Sequence, residues 1–496
     1  MVVLEFLIFF IAFLVFKYFW DNRKFFNLAR KIPKSNLDYS FLTLYSFLTA
    51  DTKTIFEVFD KSFKNKKVCS KSWIGPLFFV GVVEPEDVKI ILNSKECIDK
   101  PFFMKFLGVL KGTIYGDIKY WHSHRKIINP YFGAKNLLNI IPIFNEKVKT
   151  LMDNLQTFED KGEYDVFHSM SALTLETIMN VMEYDVDIQN QKSEVRSAFV
   201  ENLERYFDIV TIRCFKIWLY PDFIFRHTKM YKDQLTSISK SSLKFTKHII
   251  NHIRQQLTVK NDSNQNEKSK TFIRALMDPR NNLSEVEIED EVKTMIFTAQ
   301  DTSSTVTSTA LMLLGMHKDV QQKVVKELHG IFGKTLDAPY LDYEKISELH
   351  YLEMVINEIM RLFPVVPFIL RTNSTDLEIS NGCILPAKTN IVIPMFELHR
   401  STKIWGEDAN HFRPERFEKE NFENIHPYAF IPFTKGPRMC VGWRYAMLLM
   451  KIQLANILLR YEVDTRLKMD ELDFKFNGTM KICQGYKMSI KERVIS

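Results

Sequence analysis

The sequence predicts a predominantly α-helical domain with a small β region, residues 41–496. It stands behind one apolar N-terminal helix (1–21) and a basic linker (22–40). Three observations carry this reading. Apolar residues recur at helical spacing through most of 135–255, through 285–316, and again behind residue 442. Strand-like runs are short, and most fall within 68–93 and 376–394. A chain of 496 residues would ordinarily hold about three domains, yet no segment long enough to separate them interrupts the body. Hydrophobic content of 46%, with 41 Phe, is ample for one large core. A net charge of +7 suits docking on an acidic partner or an anionic membrane face better than nucleic-acid binding. The six cysteines are scattered, at 69, 97, 214, 383, 440 and 483, with no disulfide-framework spacing, which favours a reducing compartment.

Taken in order, residues 2–20 are apolar except Glu5 and Lys17 near the two ends, with Tyr18 and Trp20 where an interfacial belt would lie. About 20 such residues span a bilayer. A cleaved signal peptide would want a basic start and small residues at its end, and neither is present. Arg23, Lys24, Arg30, Lys31 and Lys34 follow, a basic flank that puts the body on the cytoplasmic side. Residues 77–83 read as a strand. The run 88–92 reads better as a short helix, because the acidic turn Glu84-Pro85-Glu86-Asp87 precedes it. Residues 101–118 are loop-like but hold Phe102, Phe103 and Phe106.

Trp121 and Arg125 lie four apart on one helix face, so an indole N–H and a guanidinium can converge on an anion. His122 and His124 fall on different faces and read as solvated. The stretch 200–245 is aromatic and basic, and 257–270 is the one strongly polar segment, read as a solvated mobile loop. The helix 285–316 carries an unusual hydroxyl-rich centre, Thr298-Ala-Gln-Asp301-Thr302-Ser-Ser-Thr, whose side chains can bond to the i−4 carbonyl and loosen the turn. Close helix packing is the plainer alternative. Glu358 and Arg361 share a helical face, and Arg416 follows in Phe412-Arg-Pro-Glu-Arg-Phe. A buried Glu between two guanidiniums leaves no charge unpaired.

The richest stretch is Phe433-Thr-Lys-Gly436-Pro-Arg438-Met-Cys440-Val-Gly442. It is a glycine-punctuated loop that delivers Cys440 to the first turn of a helix. Unpaired N–H groups and the helix dipole there favour a thiolate and a metal ligand. A buried structural Cys is the common fate of such a residue, and zinc would need partner Cys or His at finger-like spacing, which are missing. A single thiolate suits one axial position on an iron whose other ligands come from a macrocycle.

Phe-x-x-Gly-x-Arg-x-Cys-x-Gly resembles the haem-binding signature of the cytochrome P-450 family. Five fixed positions would match by chance about once in several thousand chains of this length. The Trp121/Arg125 pair, the Asp301-Thr302 motif and the Glu358/Arg361/Arg416 set follow in that family's order. Trp-x-x-His-Arg-Lys, Leu-His-Arg (398–400) and Phe-Arg-Pro-Glu-Arg-Phe look most like the fourth clan, as found in insects.

The resemblance implies a haem-thiolate monooxygenase of the cytochrome P-450 fold, anchored by one N-terminal pass in the endoplasmic reticulum membrane. Its haem b would be held by Cys440 as axial ligand, within the signature positions Phe433, Gly436, Arg438 and Gly442. Trp121, Arg125, Arg371 and Arg438 would meet the propionates, and Asp301 and Thr302 would deliver protons. Glu358, Arg361 and Arg416 would brace the thiolate loop. Gly478-Thr479-Met480 would form a hairpin turn entering the cavity, and loop 101–118 would cap it. Electrons would come from NADPH through a P-450 reductase docked on Lys126, Lys435, Arg444 and Lys451, with cytochrome b5 as an auxiliary donor and a lipophilic substrate. Many fourth-clan fatty-acid hydroxylases carry Glu where Thr298 stands, so covalent haem attachment is not implied. A reductase-independent isomerase or dehydratase, and a non-catalytic haem-binding membrane protein, are the alternatives. An intact Asp301-Thr302 counts against both.

Overall fold

A computed structural model describes residues 2–35, 49–64, 69–74, 76–114, 116–259, 271–337, 339–380 and 382–494. Most of the polar segment 257–270 lies outside the described residues. The chain is mainly helical with small sheets, as its periodicity predicts.

The helix Glu285–Met316 runs through the middle of the largest core cluster. Ser284 starts it: its hydroxyl accepts from the Glu287 N–H while the Glu287 carboxylate accepts from the Ser284 N–H, a reciprocal cap with acidic side chains in the positive first turn. From Ser303 to Gly315 it is buried on all sides, so the stretch shows little amphipathic periodicity. It packs against Phe167–Val181 and against Trp443–Arg460, which bring Leu173, Ile178, Ile452 and Leu454 into the same core.

One four-stranded sheet orders Ser70–Ile74, Leu77–Gly81, Asn390–Ile393 and Ile369–Thr372. Leu77–Gly81 pairs in parallel with Asn390–Ile393, and the other two pairings are antiparallel. The run 88–92 is helical, within Pro85–Asn93, as the acidic turn before it predicts. Residues 102–110 are not a loop but short 3-10 turns broken at Gly108, whose φ of 59° lies in the left-handed region. Phe103 and Phe106 pack into a core cluster with Phe79 and Phe215.

The N-terminus forms a helix Val2–Asp21 followed by a second, Arg23–Lys31. The basic linker is therefore helical over much of its described length, and it is docked. Ala29 and Ile32 are buried, Lys24 pairs with Asp376 at 2.6 Å, and the Lys71 ammonium caps the Arg30 carbonyl at 3.0 Å. Side chains of the first helix are described from Glu5, and among the described residues no helix is long and apolar enough to cross a membrane. Its described apolar side chains, Phe6 to Phe10 and Phe13 to Phe16 among them, are exposed.

Candidate haem site

The signature residues form a loop ahead of the helix Trp443–Arg460. Thr434 and Gly436 take positive φ, and a Cβ on Gly436 would overlap the Leu92 carbonyl oxygen, so only glycine fits there. The Cys440 N–H closes the loop on the Phe433 carbonyl at 3.0 Å. Cys440 lies two residues ahead of the N-cap Gly442, not in the first helical turn. Burial pushes its thiol above the ordinary range, outweighing the Gly442 N–H and the Arg125 guanidinium, which favour the thiolate. The loop alone therefore does not hold a thiolate; a bound cation would have to complete the ionisation.

The exposed surface of Cys440 opens onto an internal cavity of about 300 Å³, not onto bulk water. Phe433, Gly442, Trp121, Arg125 and Arg438 wall it on the loop side, and Ala299 and Thr302 of the long helix on another. A Cβ on Gly442 would meet nothing within 4 Å. The remaining wall is largely apolar, with Val306, Val365 and Ile369.

Four cations gather at this cavity. Arg438 stacks on Trp121, 4.6 Å from the ring centroid, and donates to the Ile98, Thr113 and Gly116 carbonyls. Arg125 donates to the Met439 carbonyl, while its buried Nε has no hydrogen-bond partner among the described residues. Arg371 is buried and donates to the Leu370 carbonyl at 2.9 Å; it stands close enough to disfavour charge on Arg438 but is not in the cavity wall itself. Lys100 does line the wall. Burial lowers Arg371 to about 10, and burial together with the neighbouring guanidiniums lowers Arg438 to about 10 and Lys100 well below its usual value. Among the described residues none of the four makes an ion pair. A largely buried like-charge cluster with an orphaned donor lacks anions, and the two carboxylates of a haem fit that lack. Lys100 carried no motif in the sequence; it is recognised only once the fold sets it beside Arg371 and Arg438.

The long helix brings Thr302, but not Asp301, to the cavity. The Thr302 hydroxyl donates to the Thr298 carbonyl at 2.5 Å, and Thr298 donates to Thr294 at 2.8 Å. These are the i−4 bonds its composition predicts, and the helix continues through them unbroken. Asp301 is buried behind, where its carboxylate accepts from the Thr479 hydroxyl and from Lys481, each at 2.6 Å. The turn at Gly478 therefore packs on Phe207 and on the back of the long helix, and its residues are not in the cavity wall. The phenylalanines of 102–106 do not line it either.

Glu358, Arg361 and Arg416 come together as predicted. Glu358 and Arg361 are wholly buried and doubly bonded, at 2.6 and 2.8 Å, with Arg416 Nε 3.5 Å from the Glu358 carboxylate. Arg361 also donates to the His399 and Ala409 carbonyls, both at 2.7 Å. His399 Nε2 in turn accepts from the Ile431 N–H at 3.1 Å, just ahead of the signature loop. His399, read in the sequence only as part of Leu-His-Arg (398–400), is thus the link from the triad to the loop.

Two further expectations fail. His124 is not solvated: it is 1% exposed, its Nδ1 lies 2.9 Å from the buried Glu291 carboxylate, and it stacks on Tyr120. It ties the Trp121 helix, Ile118–Ile128, to the long helix. Lys451 is also no part of a surface patch, because it is buried and paired with Glu353 at 2.6 Å. Lys126 and Arg444 are exposed as expected.

A sequence model of the cytochrome P450 family matches residues 38–490, most of the chain. The chain belongs to the cytochrome P450 family. Its relatives include a Drosophila melanogaster protein named probable cytochrome P450 313a4, 32% identical over 97% of this chain and 98% of that protein. Probable cytochrome P450 313b1 of the same species is 28% identical over 96% of both. Cytochrome P450 4V2 of Mus musculus is 30% identical over 85% of this chain and 82% of its own length. The fourth-clan character read from the motifs agrees with these relatives. As a P450 the protein is a haem-thiolate monooxygenase, and the cation cluster and the cavity-facing Cys440 are the parts of this chain that suit the cofactor.

Proposed function

We propose that this P450 inserts one oxygen atom of O2 into a C–H bond of a lipophilic substrate, of the fatty-acid, hormone or hydrophobic-xenobiotic class. NADPH would supply the electrons through a flavoprotein reductase. The carrying observation is that Cys440 and Thr302 wall the same largely apolar cavity, beside four cations without ion-pair partners among the described residues. When bound, haem supplies the iron centre that activates O2, and a Cys thiolate ligand favours O–O cleavage. Substrate, O2, NADPH and one proton give the alcohol, water and NADP+.

The chain's own contributions follow from its geometry. Lys100, Arg125, Arg371 and Arg438 neutralise the cofactor's carboxylates. Val306, Val365 and Ile369 exclude bulk water. The Thr302 oxygen, its proton committed to Thr298, accepts a hydrogen bond from water in the cavity and positions it for proton transfer. Asp301, held by Lys481 and Thr479 behind the long helix, fixes the Gly478 turn against the turn that carries Thr302. Glu358, Arg361 and Arg416, through His399, keep the loop in register.

The helix Val2–Asp21 attaches the protein to the endoplasmic reticulum membrane through its exposed apolar side chains. Its exposed apolar side chains and the basic residues from Arg23 to Lys31 support this, with the body cytoplasmic. Lys126, Arg444 and Lys435 offer a basic face to an acidic reductase, and cytochrome b5 is an auxiliary donor on the same electrostatic ground.

The test is full-length protein in lipid with reductase and NADPH, screened against a lipid library by haem Soret shift and then by product. Oxygenated product that requires NADPH is expected. Conversion of a binding lipid without NADPH would point instead to the isomerase class and overturn the reading.

A further inference from the structure

The six cysteines are chemically unequal. Burial pushes Cys97 up to about 11 and Cys214 up to about 12, Cys483 is raised for the same reason, and Cys440 belongs to the haem site. Cys69 and Cys383 differ from these four. They are 314 positions apart in sequence, yet their sulfurs lie 3.7 Å from one another, with the Cys69 S–H directed at Cys383. Cys69 directly precedes the edge strand Ser70–Ile74, and Cys383 directly precedes Ile384–Leu385 of a separate two-stranded hairpin. Cys69 is buried, whereas Cys383 is only half-buried and so within reach of a small solute. The Cys69 thiol, with a smaller contribution from Lys71, holds Cys383 below the ordinary thiol range against burial and the Asp87 carboxylate. Only the thiolate is nucleophilic, so Cys383 is the thiol placed to react first.

We propose that Cys69 and Cys383 are a peroxide-oxidised dithiol, closing a disulfide between the edge strand and the hairpin. The oxidant is hydrogen peroxide. The Cys383 thiolate attacks one peroxide oxygen, an S–O bond forms, the O–O bond breaks, and hydroxide leaves to be protonated to water. The Cys69 sulfur then attacks the sulfenic sulfur; the S–S bond forms, the S–O bond breaks, and the Cys69 proton leaves with hydroxide as a second water. Two thiols have lost two electrons, and one peroxide has become two waters. The sulfurs, now 3.7 Å apart, must approach by roughly 1.7 Å to reach disulfide length. A cytoplasmic face would reduce the bond again, as it does for redox-sensing pairs.

The crosslink would join elements that already share polar ties. Lys71, two residues after Cys69, holds the end of helix Arg23–Lys31 by its carbonyls, and Lys24 of that helix pairs with Asp376. Phe25 of the helix and Trp73 of the strand wall a cleft of about 1110 Å³. Oxidation therefore stiffens that wall.

The experiment treats full-length holoprotein with dilute hydrogen peroxide, blocks the remaining thiols by alkylation, and maps peptides by mass spectrometry. The expected first product is a Cys69–Cys383 crosslinked peptide, lighter by two hydrogens and reversed by a dithiol reductant. Cys69→Ser, which keeps a hydrogen-bond donor at that position, should leave Cys383 as a sulfenic acid captured by a 1,3-diketone, and Cys383→Ser should leave Cys69 unoxidised. The oxidised parent should unfold at a higher temperature than the reduced one, a difference absent in Cys383→Ser. Prior oxidation of Cys97, Cys214 or Cys483 would overturn the proposal, as would Cys383 reaching the sulfinic acid in the parent without crosslinking.

Discussion

His399 makes the stability of the signature loop depend on pH in a calculable way. The imidazole is fully buried, accepts the Ile431 N–H through Nε2, and is pressed by burial and by Arg361 to about 3. Its folded value is thus depressed below an unfolded value near 6.5. The unfolded chain binds a proton in this window and the folded chain does not, so stability is fully present above about pH 6.5. It is lost as pH falls, until the loss ends near pH 3. The slope is about 1.4 kcal/mol per pH unit, which amounts to roughly 2 kcal/mol by pH 5. Protonation would set a cation beside Arg361 and remove the acceptor that Ile431 uses. His399→Gln keeps an amide oxygen for that N–H and does not titrate. Denaturant midpoints at about pH 7.5 and 5, compared at a common m-value, should fall further in the parent than in His399→Gln by roughly that 2 kcal/mol. Equal falls in the two proteins would show that His399 is not held neutral by the fold.

Cys440→Ser should abolish the red-shifted ferrous-CO band of the haem-loaded protein, and a serine variant that keeps the band would remove the thiolate assignment. Thr302→Ala should keep NADPH consumption within the same order, lose about 10²–10⁴-fold in product per NADPH and release peroxide; tight coupling in the variant would mean that the hydroxyl only packs. Gly436→Ala should fail to load haem stoichiometrically, since the new methyl meets the Leu92 carbonyl and the φ of 76° is strained; full loading by absorbance would contradict this. Lys481→Met strands a buried carboxylate on Asp301 and should cost about 3–5 kcal/mol in chemical denaturation, whereas an Asp301→Asn/Lys481→Met double variant should recover much of it.

The chemistry concentrated in short stretches was legible in the sequence. The signature loop, the hydroxyl-rich helix centre and the triad each announced themselves by residue types that neither a core nor a surface needs. The span of the long helix was legible from its apolar periodicity, whereas the sheet of Tyr164–Asp165, Lys487–Glu492 and Tyr461–Asp464 was not, because its short strands pair across long separations. What stayed hidden was pairing across long separations. Lys100 beside Arg371, His124 against Glu291, His399 under Ile431 and Lys481 on Asp301 are each set by the fold, and no local spacing encodes them. His124 misled because helix-face arithmetic assigns faces but not neighbours. Its face is covered by the long helix, which buries Glu291 opposite it.

The cation cluster bears on which tetrapyrrole this chain can accept. Lys100, Arg371 and Arg438 repel one another, with Arg125 adding to the field, around a centre they cannot neutralise. That place is therefore electrostatically frustrated until anions reach it, and the relief comes from the acid groups of the guest rather than from its metal or its ring. A porphyrin with its two acids esterified would match in shape, bulk and greasiness and still leave the frustration standing. Discrimination between such guests is thus settled at the edge of the macrocycle, well away from the sulfur, and an iron-free porphyrin that keeps both acids should compete for the chain during its assembly.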